Sequence, residues 1–203
     1  MGRVSDAKQR LLKAAIELMW ENSYGSLTVD QICVRAQVKK GSFYYFFESK
    51  TALAEVAITT LWENNLPEMD ATFSATKPPL ERLRSYFEHS RMHQQTCFKQ
   101  NGKVLGCPYF TVGSEVCLTD QSLAQRVQVV MDKMRRYFES AIRDAQAEGS
   151  INVADTATAA RCVIAFFEGL MTQARIQNNP AVLDDLWPGI ERLLGVADTV
   201  SQL

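Results

Sequence analysis

The residues with the strongest chemical pattern lie in one stretch between positions 28 and 50. Lysine ammonium groups, hydroxyls and backbone amides bind phosphate oxygens, and hydroxyls also reach base edges in the major groove of DNA. A glycine in the same stretch would let the backbone approach a duplex closely. The predicted DNA contacts are Thr28, Lys39, Lys40, Gly41, Ser42, Tyr44, Tyr45 and Lys50. The alternative interpretation is a lysine–tyrosine patch on an ordinary short helix.

A second pattern places His89, His93 and Cys97 at four-residue intervals. Neighbours four apart share one helix face and can share a metal ion. Positions eight apart lie about 12 Å apart along a helix, so one ion reaches at most two of the three. No Glu-x-x-His spacing completes a metal site, and we predict no bound metal ion. A helical metal-binding or enzymatic bundle using His89 and His93 stays as an alternative, as do two ordinary partly buried histidines.

A third pattern surrounds Cys107, which follows Gly106 and precedes Pro108, a residue suited to begin a helix. A thiol near a helix N-terminus has its thiolate stabilised, and Lys103 would add to that effect. The pattern permits a regulator that senses oxidants or electrophiles through Cys107. A buried, inert thiol is the alternative. The five cysteines are scattered without a CxxC pair, which indicates free thiols in a reducing cytoplasm.

Motifs for catalysis are absent from the sequence. There is no GxSxG, no P-loop and no dinucleotide-binding fingerprint, so we expect no enzyme, no catalytic residue and no cofactor. No run approaches the ~18 apolar residues that a membrane span needs, so we expect no membrane partner and a cytoplasmic protein.

The elements that position the first pattern are two short helices joined by a turn. Thr28 is a suitable N-cap, and Gln31 completes the capping-box spacing. An apolar stripe at helical spacing follows, then a turn at Gln37, then a second helix from about Lys40 to Phe47. This arrangement predicts a helix-turn-helix whose second helix enters the major groove.

These residues also carry a family resemblance. The pattern Gly-x-Phe-Tyr-x-Phe-Phe-x-Ser-Lys-x-x-Leu, from Gly41 to Leu53, resembles the DNA-binding signature of the tetracycline-repressor (TetR) family. The resemblance covers roughly residues 5–60. The chain departs from it at Gln37, where the family usually has Gly, and at Lys39, where it usually has Ser or Thr.

The sequence pattern of the remaining chain predicts helices throughout. We expect a first helix from Ser5 or Asp6 to Glu21, followed by Gly25 in a left-handed turn. A helix capped by Ser49 should stop at Pro67. Later helices are expected from Leu80 to about 98, from Pro108 to Cys117, from Asp120 to Gly149, from Asp155 to Asn178, and from Pro180 onwards. No strand pattern appears, so the predicted fold class is all-α.

Charge separates the chain into two parts. The first fifty residues hold eight Lys or Arg and five Asp or Glu, a net charge of +3, and the remainder carries −4. A basic end and an acidic remainder fit nucleic acid at one end only. We predict a DNA-binding domain of three helices over residues 1–50, and a helical regulatory and dimerisation domain over residues 51–203.

The C-terminal body resembles the family more weakly, and the resemblance implies a ligand pocket between its helices. Candidate pocket residues are Tyr86, His89, His93, Cys107, Tyr109, Phe110, Phe166, Phe167 and Met171. Small residues and the last helix predict a dimer interface formed by Ala165, Gly169, Leu186, Ile190, Leu193 and Leu194. For both sets, ordinary packing within the chain is the alternative.

Together these patterns predict a ligand-responsive transcriptional regulator, most simply a repressor. It would bind a palindromic double-stranded operator as a homodimer and be released by a small-molecule effector. A regulator that senses oxidants or electrophiles through Cys107, a metal-binding or enzymatic bundle, and a protein-interaction scaffold remain as alternatives.

Overall fold

The computed structural model of the chain describes residues 2–196. Within that range the chain forms nine α-helices, one 3-10 turn and no strand, which confirms the all-α prediction. The helices are α1 (Gly2–Glu21), α2 (Val29–Ala36), α3 (Lys40–Phe46), α4 (Lys50–Thr72), α5 (Pro79–Asn101), α6 (Pro108–Val116), α7 (Gln121–Ala147), α8 (Thr156–Gln177) and α9 (Leu186–Leu194). The 3-10 turn spans Pro180–Asp185.

The described residues divide into two compact units. Unit 1 comprises residues 2–67 and 107–131, and unit 2 comprises residues 68–106 and 132–196. The division falls inside α4 and inside α7. The predicted domain boundary after residue 50 stays a prediction, and residues 197–203 of the predicted second domain lie outside the described residues.

In unit 1, α1, α2 and α3 contact one another around an apolar centre. Leu11, Ile32 and Phe43, one from each helix, have no exposed surface. Burying a side chain of this size contributes roughly 1.5–3 kcal/mol to the free energy of unfolding. α6 also contacts α1. α1 and α2 therefore hold α3 by its buried aromatic side and leave its opposite side open.

The start of α2 follows its sequence signal. The Thr28 hydroxyl accepts a hydrogen bond from the Gln31 amide (3.2 Å), and the Gln31 side chain accepts one from the Thr28 amide (2.8 Å). This confirms the predicted capping box. Ser49 likewise caps α4, since its hydroxyl accepts from the Ala52 amide at 3.0 Å.

The turn between α2 and α3 keeps a left-handed residue without glycine. Gln37 adopts φ 54° and ψ 45°. Its amide donates to the Val34 carbonyl (3.1 Å), and the Val38 amide donates to the Cys33 carbonyl (2.9 Å), which is the Schellman pattern. Arg10 also donates to the Gln37 carbonyl at 3.2 Å. These bonds offset the steric cost of a side chain in this conformation.

Unit 2 has a core of apolar side chains from five of its elements. Leu83, Phe138, Val163, Leu183 and Ile190 have no exposed surface. The connection after α5 is tied to the same unit by Gln94, a buried amide. Its side-chain oxygen accepts from the amides of residues 105 and 106, and its nitrogen donates to the carbonyl of residue 106.

Two sequence-based boundaries are wrong. Pro67 does not stop α4, which continues to Thr72. An interior proline removes one backbone hydrogen bond, but the residues beyond it bury Met69 and Phe73, which favours continuing the helix. The first helix begins at Gly2 and not at Ser5 or Asp6. The Asp6 carboxylate pairs with Arg10 one turn later at 3.2 Å.

The prediction of a left-handed conformation for Gly25 is also wrong. The described glycines with positive φ are Gly102, Gly106, Gly149 and Gly195, and Gly25 is not among them. A different constraint applies at Gly25, because a Cβ there would lie 2.8 Å from a carboxylate oxygen of Glu115.

Candidate nucleic-acid interface

The exposed side of α3 carries most of the residues predicted to meet DNA. Phe43 is fully buried and fixes the helix, whereas Tyr44 is 54% and Tyr45 75% exposed. Gly41 is exposed, and nothing lies within 4 Å of the position that its Cβ would occupy. Ser42 is half-buried on the same helix. Two exposed phenols and an open stretch of backbone thus stand on one short helix.

Lys39 and Lys40 precede this surface and differ in their partners. Lys40 forms an ion pair with Asp30 of α2 at 2.8 Å, and the hydrogen bond to Asp30 raises the pKa of Lys40. Both groups are exposed, and exposed pairs are weak and easily exchanged for another anion. Lys39 is exposed, and its side chain makes no hydrogen bond or ion pair with any described residue. Its side chain makes no capping hydrogen bond to α3, since an ammonium group has no acceptor to offer the free amides of a helix start.

Lys50 has a different environment from the other two lysines. Its ammonium donates to the backbone carbonyls of Tyr24 and Leu27, both at 2.9 Å, and lies 4.3 Å from the centre of the Tyr24 ring. Desolvation lowers the pKa of Lys50, against Glu115 and Asp120, which raise it. Two of its three N–H donors are therefore engaged inside unit 1. Its predicted contact with DNA stays a prediction, and the loop between α1 and α2 is its observed partner.

The same loop is held by a residue that the sequence patterns did not single out. Glu115 of α6 accepts hydrogen bonds from the Ser23 hydroxyl (2.5 Å) and the Gly25 amide (2.5 Å) through Oε1, and from the Tyr24 amide (2.9 Å) through Oε2. About ninety positions separate Glu115 from this loop, so spacing gives no signal. The only local hint is the glycine at position 25, beside the position that the carboxylate occupies.

In a comparison with known proteins, two protein-family models match the chain. The model described as "Bacterial regulatory proteins, tetR family" matches residues 11–57. The model described as "Tetracyclin repressor-like, C-terminal domain" matches residues 79–190, more than half of the chain. The chain belongs to the TetR family of transcription regulators.

Curated relatives and solved structures agree with this assignment. The transcriptional regulator AcuR of Cereibacter sphaeroides is 29% identical, over 86% of this chain and 78% of its own length. The HTH-type transcriptional repressor DhaR of a Mycobacterium species is 27% identical, over 96% of both chains. The crystal structure of regulatory protein TetR from Rhodobacter sphaeroides superimposes with a TM-score of 0.82 at 26% identity, covering 92% of this chain and 98% of that one.

The candidate pocket residues of this TetR-family chain fall into both units. Tyr86 and Phe167 meet in unit 2, with ring centroids 5.8 Å apart, and Phe138 packs edge-on against Tyr86. Phe166, on the same helix as Phe167, faces Gly189 of α9, and Met171 is buried in the same unit. Tyr86 and Phe167 are therefore the two candidates that the structure brings together within an aromatic cluster.

Three pocket candidates belong to unit 1. Cys107 is buried and takes the N-cap position of α6 without a side-chain capping bond. Tyr109 is buried, and desolvation raises the pKa of its phenol. Phe110 is 40% exposed.

The two histidines form separate pairs. His89 Nδ1 lies 3.1 Å from a carboxylate oxygen of Glu68, with both side chains exposed. His93 Nε2 lies 3.5 Å from the Cys97 sulfur. Desolvation, followed by the nearby His89, lowers the pKa of His93. In the part of the chain that the structure describes, no three His, Cys, Asp or Glu side chains are placed to share a metal ion.

The candidate dimer residues separate by exposure. Leu186, Ile190 and Leu194 are buried by the chain's own unit 2 and act there as core residues. Ala165 is exposed, Leu193 is 45% exposed, and Gly169 has no atom within 4 Å of its would-be Cβ. A partner subunit can thus reach these three residues without unpacking the chain. Among the described helices, none is long and apolar enough to cross a membrane.

Proposed function

We propose that the chain is a ligand-responsive repressor that binds a palindromic operator as a homodimer. The observation that carries the proposal is the exposed surface of α3, where Lys39, Gly41, Tyr44 and Tyr45 face outward from a helix fixed by the buried Phe43. The family assignment and the repressor name of a relative aligned over nearly the whole chain support this function. The protein would act in the cytoplasm, by binding and not by catalysis.

The expected binding mode follows from the size of the surface. One α3 helix spans a single major-groove segment, so specificity for a long site needs two copies. In a two-fold dimer the recognition helices would enter successive major grooves about 34–36 Å apart, and the operator would be palindromic. The proposed contacts between subunits are the exposed Ala165 and Leu193 and the half-buried Gly169, which has open space at its Cβ position.

The effector would bind unit 2, where Tyr86 and Phe167 contribute to an aromatic cluster. Effector binding would favour a dimer whose DNA-binding helices are wrongly spaced, and so weaken operator binding. Couplings of this kind typically amount to about 1–3 kcal/mol, a change in affinity of about 5- to 150-fold.

The decisive experiment measures binding of the purified protein to DNA flanking its own gene. We expect two chains per site and an affinity that falls roughly 10³-fold or more between 50 and 200 mM salt if six or more phosphates are contacted. Tyr44→Ala should weaken specific binding with no loss of fold, because the ring is more than half exposed. Binding that ignores salt, or a Tyr44→Ala variant with undiminished operator affinity, contradicts the proposed docking.

A further inference from the structure

Two charged side chains bind the backbone of the loop between α1 and α2. Its amides at Tyr24 and Gly25 point to the Glu115 carboxylate, and its carbonyls at Tyr24 and Leu27 point to the Lys50 ammonium. Backbone groups of a loop are ordinarily satisfied by water or local turns. Here an anion from α6 takes the donors and a cation from α4 takes the acceptors, all within unit 1.

A third contact fixes the aromatic side chain of the loop. The Tyr24 hydroxyl lies 3.1 Å from the Thr51 hydroxyl, which donates to the Asp120 carboxylate at 2.7 Å. Asp120 also caps α7 by accepting from the Leu123 amide at 3.1 Å. Tyr24 is buried. The loop is thus attached to α4, to α6 and to the start of α7.

The Glu115 contacts have the geometry of strong hydrogen bonds. Three donors share one carboxylate at 2.5–2.9 Å, and hydrogen bonds to an ionised acceptor are about twice as strong as neutral ones. Desolvation alone would raise the pKa of Glu115, but the hydrogen bonds from Ser23, Gly25 and Tyr24, with Lys50, outweigh it and the pKa is lowered. The folded chain therefore favours the charged carboxylate at neutral pH.

From these contacts we infer that Glu115 is a positioning residue for operator binding: it fixes the α1–α2 loop to α6 and thereby sets where α2 begins. The Glu115 anchor, meaning this carboxylate with its donors Ser23, Tyr24 and Gly25, lies three residues before the Thr28 cap of α2. α2 carries Asp30, the partner of Lys40 at the start of α3. A displaced loop would move α2 and, through the turn at Gln37, the exposed side of α3.

The proposed role of Glu115 and a general electrostatic effect predict opposite changes in the affinity for DNA. Removing a negative charge from a DNA-binding protein ordinarily strengthens its attraction to phosphate. Loss of the Glu115 anchor should instead weaken operator binding, because the loop amides lose their acceptor and α2 loses its fixed start. This inference rests on the proposed function, since it concerns how the operator is met.

The experiment compares Glu115→Gln with Glu63→Gln, using a duplex selected by the wild-type protein from a random-sequence library. Glu63 is a matched control, because it is exposed on α4 in the same unit and its side chain makes no hydrogen bond or ion pair with any described residue. We expect Glu115→Gln to bind the duplex at least about tenfold more weakly, from weakened charge-assisted bonds. Glu63→Gln should bind as tightly as the wild type or slightly more tightly.

Two further readouts separate positioning from mere stabilisation. Affinities are measured well below the unfolding midpoint of each variant, where a purely structural residue would leave the affinity unchanged. Amide hydrogen exchange at Tyr24 and Gly25 should accelerate in Glu115→Gln and stay slow in Glu63→Gln. Equal affinities for the two variants overturn the inference.

The remaining outcomes are also assigned. If the wild-type protein selects no duplex, the proposed function fails, and this inference fails with it. If Glu115→Gln does not fold, Ser23→Ala takes its place, since it removes one donor to Glu115 and keeps the charge. We expect that variant to bind a few-fold more weakly, and an unchanged affinity would overturn the inference.

Discussion

Three lysines near α3 differ in the partners of their ammonium groups, and we therefore expect them to have different roles. Lys39 has no partner among the described residues, Lys40 shares an exposed pair with Asp30, and Lys50 donates to two backbone carbonyls. A cation that already has satisfied donors gains less from a phosphate than a free one. We therefore expect phosphate contact first at Lys39 and then at Lys40, and we expect Lys50 to act mainly on the loop.

This ranking gives a prediction for single substitutions. Lys39→Met should reduce the slope of log affinity against log salt by about 1 and leave thermal stability unchanged. Lys50→Met should lower the unfolding midpoint, because the carbonyls of Tyr24 and Leu27 lose their donor. Salt titrations of operator binding and thermal melts of both variants distinguish the two roles. Reversed results for the two variants would assign Lys50 to phosphate.

The cysteines give a second prediction at this scale. Cys117 and Cys162 are exposed, whereas Cys33, Cys97 and Cys107 are buried. Desolvation raises the pKa of both Cys33 and Cys97, so their thiolates are scarce at neutral pH. Iodoacetamide at neutral pH should therefore label Cys117 and Cys162 first, as read by peptide mass spectrometry. A direct thiol sensor at Cys107 requires the opposite order, with Cys107 labelled ahead of the other four.

At the scale of elements, the turn between α2 and α3 carries a cost that substitution can remove. Gln37 is left-handed, and it uses only its own backbone amide and carbonyl in the hydrogen bonds of the turn. Gln37→Gly should therefore raise the free energy of unfolding by about 1 kcal/mol. Gln37→Ala is the control, since it keeps a Cβ in the same conformation and should give no gain. Chemical denaturation measures both, and equal effects would place the gain elsewhere.

Local signals predicted element ends well where one residue type decides the geometry. The capping box at Thr28, Pro108 at the start of α6, Asp155 before α8 and Asn178 after it all lie where their chemistry places them. Pro67 was misleading because burial of Met69 and Phe73 beyond it outweighs one lost hydrogen bond. Glu115 could not be found locally, since its partners lie about ninety residues away and only the fold joins them.

At the scale of the whole molecule, the proposed homodimer depends on a surface that the chain leaves open. Gly169 has free space where a side chain would stand, whereas a Cβ at Gly189 would meet the Phe166 ring at 2.2 Å within unit 2. The two glycines therefore make a matched pair. One tests contact with a partner subunit, and the other tests packing within the chain.

Gly169→Leu should yield monomers in sedimentation velocity while keeping thermal stability, because leucine is also the better helix former. Gly189→Leu should instead lower the unfolding midpoint, since the added side chain overfills the contact between α8 and α9. A dimeric Gly169→Leu protein would place the subunit interface elsewhere. A monomeric wild type would remove the homodimer from the proposal.

Unit 1 is assembled from two separate stretches of chain, and this has a consequence for biosynthesis. Residues 2–67 leave the ribosome first, but the unit also needs residues 107–131, which supply Glu115 and Asp120. At roughly 5–20 residues per second, synthesis of the second stretch is complete about 3–13 s after synthesis of the first. During that interval the nascent helix-turn-helix would lack its anchored loop. Truncated translation products would then compete poorly with finished protein for the operator.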